Sequence, residues 1–485
     1  MSDAKRKHPK GLYVLFLTEM WERFGFYTLA GLFVLYMTQD LKVSDAQAAL
    51  LFGAFASILY VTPLIGGYLA DRLMGFRSAI MLGALIMGAG YLSLAIGEAS
   101  LIPVSLAVLI VGNGFFKPNT SALLGHLYDD DDPRLESGFT IFYLGINVGS
   151  FTAFLISGWI ATQVGYNWAF GLAGIGKLIA FLTFVIGQRW LNDVGHAPHP
   201  EVLKERHFGI PVFGLIAIGS VAVAAIAAFF MIHDVVAGEV LAVVGVLAFA
   251  YFIYAGWREG RSVRRRIIAL AILSAFSIVF WAVYMEVDSS FMLFVERSVD
   301  RTMFDLTIPP TAFQAFNPLF ILSMGMPLAA LWIWLGKRGS NPSIPLKFVM
   351  GLIFLGAAFF VLVLGIATST DRVPWEWLIL FFFLFTAGEM VLSPVGLAMV
   401  SDLAPRNLTG LAMGIWYLAT AGGLYMSGVL ADFAAVPKDT KSAATNDIYA
   451  SGFSTYGWIG VASGLLLLVM VPWLKRLIGK NVKAF

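Results

Sequence analysis

Long apolar runs separated by short polar joints occupy almost the whole chain. A helix needs about 20 apolar residues to cross a bilayer. Runs of that kind fall at about 11–39, 47–71, 78–97, 101–127, 136–163 and 167–191. A polar stretch at 192–207 follows, then two runs almost without polar content at 209–232 and 236–257. A basic stretch at 257–266 leads to six more, at about 267–296, 311–336, 345–368, 375–402, 408–435 and 453–474. The pattern predicts an all-α integral membrane protein with 14 transmembrane helices in the order six, two, six. The expected divisions are an N-terminal six-helix bundle over 1–191, a linker with two additional helices over 192–266, and a C-terminal six-helix bundle over 267–485. The middle pair is expected to pack outside the bundles, facing lipid.

Charge in the joints orients these spans. The joints on the N-terminal side hold 23 of the 32 Lys and Arg, and the opposite joints hold six. The side richer in Lys and Arg is the cytoplasmic one, so both termini are expected there. The basic start of the chain, MSDAKRKHPK, precedes a run too long for a signal-peptide core, so an uncleaved first span is expected.

Composition agrees and removes some chemistries. The 485 residues are 59% hydrophobic and 13% charged, with mean hydropathy +0.81, far outside the range of soluble domains. With no cysteine, disulfides, thiolate metal sites and iron–sulfur clusters are excluded. His196 and His199 form an H-x-x-H, but in a Pro-rich loop without a carboxylate-rich partner. The run Asp129–Asp132 before Pro133 reads as a solvated turn. There is no H-E-x-x-H, no G-x-S-x-G with partners and no phosphate-binding loop on a soluble segment, which argues against a membrane enzyme.

The remaining signal lies in polar residues inside the spans, where ionisable groups are costly and mark function. Glu19, Glu22, Arg23 and Tyr27 sit early in the first span at offsets 0, 3, 4 and 8, one stripe of a helix. Each charge at mid-bilayer costs about 2.5–3.5 kcal/mol, so three cost about 7–10 kcal/mol before pairing. The alternative is a helix start in the headgroup layer, where charge is cheap. Lys117 and Glu389 are lone charges deep in apolar runs. Lys177 is a third such charge and is read as structural. Asn113, Tyr143, Asn147, Tyr284, Glu286, Asp288, Gln314, Asn317, Ser393 and Trp416 add polar groups in other spans. Arg23 and Lys117 put positive potential in the first bundle, and Glu389 puts negative potential in the second. A central cavity between two bundles would then be bipolar and suited to a zwitterion such as a dipeptide, whose termini lie about 7 Å apart in extended chain. Amino acids or zwitterionic drugs fit the same logic.

These residues also carry a family resemblance. Glu19-x-x-Glu22-Arg23-Phe24-x-Phe26-Tyr27 resembles the E-x-x-E-R-F-x-Y-Y signature of the proton-dependent oligopeptide transporter (POT/PTR) family of the major facilitator superfamily, bacterial type. Phe142-Tyr143-x-x-Ile146-Asn147-x-Gly149 resembles its F-Y-x-x-I-N-x-G signature, and Gly112-x-Gly114-x-x-Lys117-Pro118-Asn119 its G-x-G-x-x-K-P-N stretch. Segments 313–318 and 389–394 are similar to motifs of its eighth and tenth bundle helices. Segment 67–72 resembles a gate motif of the wider superfamily.

The resemblance implies a proton-coupled symporter importing di- and tripeptides by alternating access. Arg23, Tyr27 and Lys117 would contact the peptide carboxylate, and Asn147, Asn317 and Glu389 the amino terminus. Tyr60 and Trp416 would line side-chain pockets. Glu19, Glu22 and Arg23 would couple protons, with Asp288 or Glu286 as the acidic group of the seventh bundle helix. The proton would serve as coupling ion without any cofactor. Expected partners are the peptide, protons and the lipid bilayer, without nucleic acid. The expected working unit is a monomer, and the expected location is the cytoplasmic (inner) membrane. Alternatives are the same fold carrying another small anion or zwitterion, or a drug/proton antiporter. Phe26 replaces an expected Tyr, Thr28 an expected Gly, and Gly53 occupies the position of a His in mammalian members.

Overall fold

The computed structural model describes residues 7–129, 131–438, 440 and 442–479. The termini at 1–6 and 480–485, and Asp130 of the acidic run, lie outside them. Fourteen long helices are present among the described residues. In the first half these are α1 (Lys10–Leu35), α2 (Asp45–Leu69), α3 (Phe76–Ala95), α4 (Ile102–Gly125), α5 (Leu135–Gln163) and α6 (Tyr166–Gly187). The pair α7 (Val212–Ile232) and α8 (Asp234–Arg258) follows. Then come α9 (Arg261–Tyr284), continued by the short α10 (Ser290–Ser298), and α12 (Phe316–Lys337), preceded by the short α11 (Pro310–Gln314). The remainder are α13 (Ile344–Ala367), α14 (Glu376–Leu403), α15 (Thr409–Leu430) and α16 (Ser442–Ile478). The architecture is thus all-α and multi-pass, as the apolar pattern predicts. Twelve spans among the described residues are long and apolar enough to cross a membrane by composition. The other two long helices are α15 and α1, the latter carrying Glu19, Glu22 and Arg23.

Two spans that read as continuous in the sequence are interrupted. The chain leaves α9 through a 3-10 turn, Met285–Asp288, before α10 begins. It also breaks at Ala315 between α11 and α12. Broken helices expose backbone groups that need partners, and such backbone at membrane depth is tolerated where protein or a cavity surrounds it. Gln314 supplies one partner here: its Nε2 donates to the Val287 carbonyl oxygen at 2.9 Å.

The joints outside the spans are short. Strands Arg206–His207 and Ile210–Pro211 pair antiparallel around Phe208 and Gly209, both with positive φ, the backbone of a tight two-residue hairpin. In the acidic turn, Arg134 Nη2 donates to Asp132 Oδ2 at 2.6 Å, and this hydrogen bonding lowers the Asp132 carboxyl to about 2.

The chain forms two compact units, one of Met1–Leu32 with Val61–His233, the other of Phe33–Tyr60 with Asp234–Phe485. This differs in two places from the expected 1–191, 192–266 and 267–485. The middle pair is shared out rather than set apart. Helix α7 packs on α4 in the first unit, and α8 on α9 and α15 in the second. Most of both helices stays on the outside, as expected of lipid-facing elements.

The second difference is that the first part of α2 belongs with α15. A Cβ on Gly53 would stand 2.9 Å from the Leu424 carbonyl oxygen and 3.0 Å from the Gly428 nitrogen, and one on Gly428 would stand 2.8 Å from the Ala49 carbonyl oxygen. Two glycine backbones touch there, in the small-residue manner of membrane helix contacts. This gives Gly53 a packing reason and leaves no room for an imidazole. Gly53→His is expected to cost about 1–3 kcal/mol or more through overpacking, read as a lowered thermal unfolding midpoint in detergent. An unchanged midpoint would show that this contact is not formed.

Candidate functional site

In the first unit, the motif stripe of α1 is buried rather than interfacial: Glu19 is 4% exposed, Glu22 0% and Arg23 5%. Protein, rather than solvent, surrounds these charges. Arg23 Nε is paired with Glu22 Oε2 and lies 3.4 Å from Glu19 Oε1. The other oxygen of Glu22, Oε1, faces Lys177 Nζ of α6 at 3.1 Å. Thr120 of α4 donates from Oγ1 to Glu19 Oε2 at 2.9 Å. Two carboxylates and two cations thus form a buried cluster whose formal charges cancel. Buried charge is tolerated when it is paired and hydrogen-bonded.

Local sequence explains how these groups meet. Gly149 of the F-Y-x-x-I-N-x-G segment lets α5 lie on α1: a Cβ there would be 2.3 Å from the Met20 carbonyl oxygen and 3.0 Å from Arg23 Cβ. Phe26, where a Tyr was expected, lies under the Arg23 guanidinium at 5.1 Å from ring centroid to Cζ, a cation–π contact that needs no hydroxyl. Tyr27 is half-buried, edge-on to Phe26 at 5.2 Å and to Phe154 at 5.3 Å.

The structure makes Lys177 the second cation on Glu22, with its ammonium 4.7 Å from the Phe116 ring centroid. The signal that could have found it is the one that singled out Lys117, a lone charge in an apolar helix. Lys117 itself is half-buried on α4, one helical turn before Thr120. Asn147 is buried on α5 and spends one amide hydrogen on its own helix, donating to the Tyr143 carbonyl oxygen at 2.9 Å.

In the second unit, Asn317 Nδ2 of α12 donates to Glu389 Oε2 of α14 at 2.9 Å and contacts Thr386 Oγ1 at 3.1 Å. The two residues expected to act together are therefore in contact. Tyr60 is half-buried near the end of the α2 stretch in this unit and lies within electrostatic reach of Tyr417. Trp416 is 3% exposed. Its ring tip fills the place a side chain at Gly396 would take, and its edge meets Phe348 at 6.3 Å.

The two acids at the α9–α10 break have different surroundings. Asp288 Oδ1 accepts from Gln314 Nε2 at 2.9 Å. Glu286 is fully buried among the hydroxyls of Ser289, Ser290 and Ser427. Sequence spacing gave no hint of these partners beyond the polarity of Gln314.

Comparison with known proteins matches this arrangement. The model of the POT family fits residues 77–459. A dipeptide and tripeptide permease A of Enterobacter sp. is 35% identical over 99% of this chain and 95% of its own length. The Escherichia coli K12 protein of the same name is 34% identical over 97% of this chain and 94% of its own. A crystal structure of a peptide transporter POT in complex with sulfate superposes with a TM-score of 0.83 at 29% identity, covering 97% of this chain and 96% of that one. With fourteen long helices and a motif cluster buried around Arg23, the chain belongs to the POT family.

Proposed function

We propose that this protein imports di- and tripeptides together with protons, by alternating access, across the cytoplasmic membrane with both termini inside. The observation that carries the reading is the neutral buried cluster Glu19, Glu22, Arg23 and Lys177. It places one guanidinium between two carboxylates in a setting where any new anion must compete for it. The names of the relatives support peptides as the substrate, and the basic bias of the inner joints supports the orientation.

In this proposal Arg23, Lys117 and Tyr27 hold the substrate carboxylate, while Asn147, Asn317 and Glu389 hold its amino group. Arg23 drawn toward the substrate leaves a carboxylate of Glu22 or Glu19 with less compensation, and a proton replaces what the guanidinium gave up. Protonation also lowers the charge that has to be enclosed. One proton moving through about 100 mV supplies about 2.3 kcal/mol, enough for about fiftyfold accumulation at about 1.4 kcal/mol per decade.

The test is uptake of labelled di-alanine into liposomes holding the purified protein, with and without an imposed inward proton gradient. Accumulation above the external concentration only with the gradient is expected. Transport unaffected by the gradient would remove the coupling. Transport driven by an outward-directed proton exchange would make it an antiporter. Failure to carry any dipeptide would favour another small anion or zwitterion.

A further inference from the structure

Helix α8 carries a carboxylate on its lipid side. Glu239 is exposed, a little over one turn into the helix after Asp234. The length of α7 sets its depth. That helix has 21 residues, about 32 Å at about 1.5 Å per residue, against about 30 Å of hydrocarbon. It has little length to spare, so the turn at His233 stands at the edge of the hydrocarbon. Glu239 then lies about 7 Å inside that edge, where a bare charge is costly. Asp234 is used locally, accepting from the Val235 nitrogen at 2.8 Å. Among the described residues no hydrogen bond or ion pair reaches the Glu239 carboxylate.

Glu239 stands at one end of a groove between α8, α9 and α15, with a volume of about 700 Å3. Its walls are apolar, Leu241, Phe249 and Leu418 among them. A Cβ on Gly245 or Gly422 would meet nothing within 4 Å, so both glycines keep the groove open. Along α8 it runs from Val235 to Phe249, about 21 Å, which is more than half of the hydrocarbon thickness of about 30 Å. Tyr425 of α15 lies at the same end as Glu239. A Cβ on Gly238 would stand 2.2 Å from Tyr425 Oη, so the phenol rests on the α8 backbone beside Glu239. Its hydroxyl is within electrostatic reach of Glu239 and Asp234. The groove therefore has the depth of one leaflet, apolar along its length and polar at its mouth.

We propose that this groove binds a phospholipid with a primary-amine headgroup, of the phosphatidylethanolamine type, its acyl chain along α8 and its ammonium on Glu239. Side chains on a helix tilt toward its N-terminus, which aims Glu239 back at the headgroup layer. A primary ammonium has three hydrogens to donate, and a carboxylate only accepts. The Tyr425 hydroxyl has one hydrogen to give, and a phosphodiester oxygen takes it. A choline headgroup carries the positive charge but no N–H. A glycerol headgroup leaves the lipid anionic, and Glu239 and Asp234 repel it. A second copy of this chain brings no cation to this depth, since Arg23, Lys117 and Lys177, the cations inside its spans, are buried or half-buried in the first unit. In the orientation proposed above the groove opens in the outer leaflet. Only that choice of leaflet rests on the proposed function.

Native mass spectrometry of the delipidated full-length protein reads the site directly. The probes are phosphatidylethanolamine, phosphatidylcholine and phosphatidylglycerol with identical acyl chains. The first is expected to fill a saturable site with about tenfold higher affinity than the other two, the weight of a charge-assisted hydrogen bond. Glu239→Gln keeps the groove and should remove that preference, lowering the affinity for phosphatidylethanolamine about tenfold. Gly245→Leu fills the groove and should lose the site for all three lipids, with helicity and thermal midpoint kept. Gly422→Leu fills it from α15 and serves if the first variant does not fold. Equal affinity of the wild type for the three lipids overturns the proposal. So does a preference that survives Glu239→Gln, or full binding in the filled variants. Dimers of the wild type that Gly245→Leu breaks would give the groove to a second copy and overturn it as well. Lipid binding is read without transport, so a protein that carries no dipeptide would sink the transport reading and leave this result standing.

Discussion

Glu22→Gln is expected to abolish proton-driven accumulation of dipeptide in liposomes, while exchange of labelled for unlabelled dipeptide continues. The substitution keeps the side-chain volume and removes the charge that both Arg23 and Lys177 share. Arg23 keeps Glu19, 3.4 Å away, so the guanidinium stays in place to meet a substrate carboxylate. What is lost is a group that is ionised when paired and protonated when Arg23 is engaged elsewhere. Accumulation should therefore fall from the limit of about fiftyfold per proton at about 100 mV to equal concentrations on both sides. Paired measurements of uptake under a proton gradient and of exchange without one decide it. Full accumulation in the variant would remove Glu22 from the coupling.

Lys177→Met is expected to destabilise the protein by about 3–5 kcal/mol, the cost of leaving a buried charge uncompensated. Lys177 and Glu22 are both fully buried, and their contact at 3.1 Å balances a cluster that otherwise holds two acids against one cation. Methionine fills similar volume, so lost packing adds little. The distinguishing variant is the double one, Glu22→Gln with Lys177→Met, which restores neutrality around Glu19 and Arg23. It should recover most of the stability that either single substitution loses, a strongly non-additive result. Thermal unfolding in detergent of the two single variants and the double variant supplies the cycle. Simple additivity would mean that the pair does not interact.

Particular residues show how far the chain could be read unfolded. The stripe Glu19, Glu22, Arg23 was legible because a helix repeats every 3.6 residues, and the expense of charge in a bilayer makes such a stripe conspicuous. Asn317 and Glu389, which the resemblance groups at one end of the substrate, touch each other. The partner of Lys177 was not legible. Nothing in the local sequence of α6 says which acid it meets, since that depends on how α6 is rotated against α1. The contact of the Trp416 ring with Gly396 was likewise not legible, since it depends on how α15 faces α14. Boundaries slipped where hydropathy and helicity part company. The last span reads as 453–474 but the helix runs Ser442–Ile478, because hydropathy measures residence in lipid and a helix continues beyond the bilayer in polar residues.

The number of long helices, their order and the basic bias of their joints follow from the amino-acid sequence alone. They are set by how each segment, taken singly, partitions between water and lipid. The breaks in two helices, the sharing of α7 and α8 between units, the seat of α2 on α15 through Gly53 and Gly428, and the hydroxyl cage of Glu286 come from packing. Each brings together atoms far apart in the chain, and sequence periodicity describes one helix at a time.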